Sequence, residues 1–100
     1  MTASAGYTVL RDISRISAMG GDGTRVASFE ATLLSGSPLT LPSRIQTIQN
    51  VQHSIKTNAG GATGLIWAAG TNDGEVDVQA EDSDGLVVAH VLVLGIGEAT

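Results

Sequence analysis

One hundred residues make a single domain with a modest core, a size at which self-association often adds stability. Ten carboxylates against five basic side chains leave a net charge of −5, which argues against the basic face that a sequence-independent nucleic-acid grip requires. There is no cysteine, so disulfides, thiolate metal sites and cysteine nucleophiles are excluded.

Charged residues are only 15% of the chain, against ~25% in typical domains, so Ser, Thr, Gly, Asn and Gln must build much of the surface. The charges are also segregated. Residues 1–56 hold all five basic groups and three acidic ones (Asp12, Asp22, Glu30), a balance of +2. Residues 57–100 hold seven acidic groups and no Lys or Arg. Such a split would suit head-to-tail contacts between copies, but the general behaviour of charge runs favours a solvated acidic loop region.

In chain order, "MTASAGYTVL" has neither the basic n-region nor the long apolar h-region of a signal peptide. The expectation is a soluble protein made in a cytoplasm. Residues 1–24 read as an N-terminal arm or first strand, with "YTVLRDISRIS" as strand or short helix and "AMGGDGT" as a loop. Residues 25–100 read as the folded domain. "RVASFEATLL" (25–34) alternates, with Ala27, Phe29, Ala31 and Leu33 opposite Val26, Ser28, Glu30 and Thr32. "SGSPLTLPS" (35–43) is a Pro- and Gly-marked joint with room for a short edge strand at Leu39–Leu41.

Residues 44–58, "RIQTIQNVQHSIKTN", admit two readings. Ile45, Ile48, Val51 and Ile55 are spaced as on a helix, with Ser43 and Gln46 as a capping box. The β-branched content and the lack of Ala or Leu favour a half-buried strand with a bulge. "TGLIWAAG" (63–70) is a short apolar strand. "GEVDVQA" (74–80) alternates, with Val76, Val78 and Ala80 on one face and Glu75, Asp77 and Gln79 on the other. The loops "GTNDG" and "EDSDG" each close on Asp-Gly, which supplies a positive φ. These loops predict a meander in which residues 75–80 pair with 86–95 as a hairpin.

The last strand, "GLVVAHVLVLGIG" (85–97), does not alternate. Its apolar run of eleven residues, Leu86 to Ile96, falls short of the ~20 of a membrane helix. Val87, Ala89, Val91 and Val93 can face the core, but Leu86, Val88, His90, Leu92 and Leu94 also need cover. In so small a domain a neighbouring subunit is the natural source, because large uncovered apolar patches mark contacts. The whole profile predicts an all-β fold, a small antiparallel sandwich or barrel of about six or seven strands.

No chemistry emerges with comparable clarity. His53 and His90 sit in no ligand-spaced pattern, and His90 reads as a core or interface residue with one hydrogen-bond partner. A calcium loop aligned on Gly85 would place Ala80 and Val91 at ligand positions, and one aligned on Gly74 would place Ala69 and Ala80 there. Both fail, which leaves a weak cation site in residues 81–85 as the residual reading. "MGGDGTR" lacks the Gly-Lys-Ser/Thr ending of a phosphate loop, and no Gly-x-Ser-x-Gly elbow exists. No catalytic, cofactor or metal residue is assigned. A histidine beside a serine in an open cleft would argue the other way.

The succession "VASFEATLLSGSPLTLP", "IQTIQNVQHSIKT", "GLIWAAG", an acidic hairpin and "VVAHVLVLGIG" resembles small β-sandwich virion proteins of tailed bacteriophages, especially head decoration (cement) proteins. The likeness covers roughly residues 25–97 and leaves 1–24 unmatched. It implies a virion component on the capsid exterior, often a trimer, that binds the major capsid protein and reinforces contacts between its subunits. On this reading Arg11, Arg15 and Arg25, three of the five positive charges, help docking on an acidic shell. The alternative is a carbohydrate- or receptor-binding virion module, a head fibre or tail domain. An exposed Trp67 or Tyr7 in a groove would favour that alternative, and a buried Trp67 the structural role.

Overall fold

The computed structural model describes residues 6–15, 24–34, 37–81 and 85–99. It is all-β, with seven strands: β1 (Gly6–Arg15), β2 (Thr24–Leu34), β3 (Leu39–Pro42), β4 (Ile45–Asn58), β5 (Gly64–Ala69), β6 (Glu75–Glu81) and β7 (Leu86–Glu98). No described segment is a helix long and apolar enough to cross a membrane. Two antiparallel sheets form a sandwich, one in the order β1-β2-β7-β4 and the other β3-β6-β5.

Alternation sets the inner faces. Ala27, Phe29, Ala31 and Leu33 of β2, with Val87, Ala89, Val91 and Val93 of β7, turn inward from the first sheet. Leu41 of β3 and Val76, Val78 and Ala80 of β6 meet them from the second. Each of the larger side chains contributes about 1.5–3 kcal/mol by leaving water.

Residues 45–58 form a strand, and its β-branched residues explain why. Ile45 is fully buried, Ile48, Val51 and Ile55 pack against the core from the sheet edge, and register shifts fall at Ile48/Asn50 and Ile55/Thr57. The expected edge strand at Leu39–Leu41 is β3, and the β5–β6 hairpin turns through Gly74 at φ 85°.

The expected hairpin between residues 75–80 and 86–95 does not form. β6 pairs with β3 and β5 in one sheet, and β7 pairs with β2 and β4 in the other. The physical reason is that both strands turn an apolar face to the same core. Alternation reads alike whether two strands lie side by side or face each other across a sandwich. Length separates the cases, since thirteen-residue β7 matches eleven-residue β2 and fourteen-residue β4, whereas β6 has seven residues.

One pole ties the sheets together. Buried Ser43 donates its hydroxyl to the Gly74 carbonyl (2.8 Å) and accepts from the Ile45 amide (3.2 Å). Arg44, at φ 62°, donates its amide to the same carbonyl and accepts from the Ala99 amide, both at 2.8 Å. A Cβ on Gly74 would lie 2.9 Å from both Ala99 Cβ and Arg44 Cα, so this turn needs glycine for space as well as for φ. At the opposite flank β1 has no counterpart in the three-stranded sheet. Tyr7 shares the inner side with Ala31 yet is 45% exposed, its ring edge-on to Phe29 at 5.9 Å.

Candidate interaction surface

The outer face of the four-stranded sheet follows from the register. Four rows cross it: Ser14–Val26–Leu94–Asn50, Arg11–Ser28–Leu92–Gln52, Thr8–Glu30–His90–Ser54, and Gly6–Thr32–Val88–Thr57. Directly opposed residues share a face. The column contributed by β7 therefore runs Leu86, Val88, His90, Leu92, Leu94, Ile96 down the middle of the sheet. Its aliphatic members are half-buried by their neighbours, except Ile96, which is exposed, and no described strand lies over them. Inner residues of the same strand are almost wholly buried. The double-sided character read from the sequence is thus one core face and one surface stripe.

One charged cluster interrupts the stripe. Glu30 Oε2 lies 3.1 Å from Lys56 Nζ and 3.2 Å from His90 Nε2. The hydrogen bond of Lys56, then that of His90, then the charge of Lys56, hold the Glu30 carboxyl below its ordinary value. His90 itself is exposed, which corrects the core half of its core-or-interface reading, and its partner is Glu30. Beside the cluster a groove of about 320 Å³ is lined by Leu10, Ser28, Gln52, His53, Ser54, His90 and Leu92, so both histidines border it.

Ser54, His90 and Glu30 occupy one row and two of them line this groove, the combination that would argue for nucleophilic chemistry. The imidazole Nε2 is committed to Glu30, and no hydrogen bond joins His90 to Ser54. Sheet amides lie in the plane of the sheet, directed at neighbouring strands, so none converge above Ser54 as an oxyanion hole would need.

Trp67 is 42% exposed. It opposes Val78, so its ring belongs to the core-facing side of β5, where it closes the seam against Val51, His53 and Leu65. Trp67 also lines a shallow groove of about 210 Å³ with Pro38, Ile66, Ala68, Asp77 and Gln79.

Of the three expected docking arginines, Arg11 is exposed on β1 and makes no ion pair among the described residues. Arg15 ends β1 opposite Arg25. Arg25 is turned inward, 11% exposed, with Nε 3.1 Å from Glu98. It joins the start of β2 to the end of β7 and is poorly placed to reach a shell. Among the described residues no three His, Cys, Asp or Glu side chains gather to hold a metal. The core of the 81–85 loop, residues 82–84, lies outside them.

Comparison of the chain with family models, with curated proteins and with solved structures finds no match.

Proposed function

We propose that the protein is a structural subunit of a virion, one that self-associates and binds the outside of an assembled capsid to reinforce contacts between major capsid subunits. The observation that carries the assembly half is the surface stripe of Leu86, Val88, Leu92 and Leu94, with Leu10 at its rim, over which the described chain places no second layer. The capsid half rests on the resemblance of residues 25–97 to decoration proteins. Arg11 supports it as an exposed cation with no ion pair among the described residues and a planar fork suited to carboxylates, with Arg15 four residues on. The direct test is mass in solution and co-sedimentation with undecorated capsids, at low and moderate salt. Removing residues 1–16 would delete β1 from the sheet, so Arg11→Ser with Arg15→Ser is the cleaner variant. Binding that neither the variant nor salt alters would remove the arginines from the proposal, and absence of binding would remove the capsid.

The exposure of Trp67 and Tyr7 favours a second reading, a carbohydrate- or receptor-binding virion module. A glycan screen with Trp67→Ala as control separates the two: retention of a sugar by the parent and its loss in the variant would replace the first reading.

A further inference from the structure

We propose that two copies of this chain pair face to face through the outer surface of the four-stranded sheet, about a two-fold axis that runs along β7. The inference rests on the self-association reading and names its geometry, in place of the trimer that the resemblance implies.

Three observations choose a second copy as the occupant. The first is side-chain size. Rotation about an axis along β7 lays each row over its own counterpart while exchanging β2 and β4. Ser28 then lies under Gln52 of the second copy, and Glu30 under its Ser54. Long side chains meet short ones in both rows, and the groove lined by Ser28, Gln52 and Ser54 is filled from the other copy. Two grooves facing each other empty would leave a void that close packing does not tolerate.

The second is charge. Within one chain Lys56 must reach across β7 to meet Glu30. In the pair, Lys56 of the second copy lies over β2, beside Glu30, so the two ion pairs can exchange partners across the interface. A two-fold perpendicular to the strands at the His90 row would instead oppose Glu30 to Glu30 and Lys56 to Lys56. Like charges placed so are unfavourable.

The third is area. Three overlapping strands at about 4.8 Å spacing, over the eleven residues of β2, cover about 550 Å² per copy. The total of about 1,100 Å² just clears the about 1,000 Å² of a specific interface. The apolar column of β7 forms its centre, and polar residues of β1 and β4 form its rim, the usual anatomy of such contacts. An area at this lower limit fits a weak pair that forms at micromolar concentration and above.

The test uses the absence of cysteine from the chain. Leu92→Cys places a lone thiol on the axis, facing its own counterpart, within reach of a bis-maleimide that spans the about 10 Å between stacked sheets. Thr40→Cys, on the outer face of the other sheet, is the control. Sedimentation of the full chain should give a dimer, Leu92→Cys should crosslink and Thr40→Cys should not. Glu30→Lys and Lys56→Glu should each weaken the dimer about tenfold. Their one-to-one mixture should recover it, because every cross-interface pair then becomes opposite in sign. A dimer or trimer that crosslinks at Thr40→Cys and not at Leu92→Cys overturns this geometry and leaves self-association standing. A chain that stays monomeric at high micromolar concentration overturns both.

Discussion

β6 and β7 have the same inner face and opposite outer ones. Val76, Val78 and Ala80 are as completely buried as Val87, Val91 and Val93. Outward, β6 presents Glu75, Asp77, Gln79 and Glu81, and β7 presents Leu86, Val88, His90, Leu92 and Leu94. The three-stranded sheet contains no Lys or Arg, so its outer face carries negative charge without internal compensation. A surface of that kind opposes close approach of like copies, whereas an uncovered aliphatic column is the kind of surface that marks contacts, on which the proposed pairing rests. The difference teaches that folding used one face of each strand and left the other free to specify contacts.

The largest effects should be those that treat the two inner faces alike. Val78→Asp and Val91→Asp each bury an unpaired charge and should cost more than about 4 kcal/mol, enough to prevent folding in a domain of this size. Urea denaturation or loss of soluble protein measures it. If one were tolerated, the two strands would not share one core. Next come the glycines. Gly95→Ala drives a methyl against the Thr47 carbonyl and to 2.6 Å from Ile45 Cγ2, where β7 meets β4. Gly74→Ala meets Arg44 and Ala99 with φ positive. Each should cost about 1–3 kcal/mol, read as a shift in denaturation midpoint.

Smaller in stability and sharper for the comparison is an exchange of outer faces. Leu92→Asp gives β7 the character of β6. It should change unfolding by no more than about 1 kcal/mol while abolishing association in sedimentation. Asp77→Leu does the reverse. It sacrifices the 2.6 Å hydrogen bond from Thr40 and should increase association at the three-stranded sheet. Association unchanged in both variants would detach the stripe from self-assembly.

Much of this comparison was legible in the chain. The alternation in "EVDVQA" identifies the inner residues of β6, and the unbroken "LVVAHVLVL" marks β7 as different. What the sequence cannot convey is which strands are neighbours. Glu30 and Lys56 are 26 residues apart and His90 is 60 beyond Glu30, and only the β2-β7-β4 order makes them one cluster. The same gap hid the sheet exchange between β6 and β7, since pairing and facing strands carry the same pattern. Trp67 was ambiguous for another reason. Its side of β5 follows from periodicity, but its exposure depends on β5 lying at a sheet edge over the seam with β4.

The smallest effect concerns the one charged interruption in the apolar column. Lys56 and His90 hold the Glu30 carboxyl below its ordinary value of 4.5. A depressed folded-state value means that the unfolded chain takes up the proton first as pH falls. The contribution to stability is therefore full above the ordinary value, declines below it, and is gone once the folded carboxyl is itself protonated. Lys56→Met should raise the Glu30 titration midpoint, followed by carbon-detected NMR. His90→Gln should raise it less, because Lys56 is the larger cause. The stability difference between the parent chain and Lys56→Met should shrink as the pH is taken from 6 towards 3 and as salt is added, since all three groups lie at the surface. A difference that persists undiminished at the acid end would mean that Lys56 acts through its aliphatic stem against β7 and not through its charge. In that case the exchange of ion pairs between two copies would have no electrostatic basis, and the two-fold axis would rest on side-chain size alone.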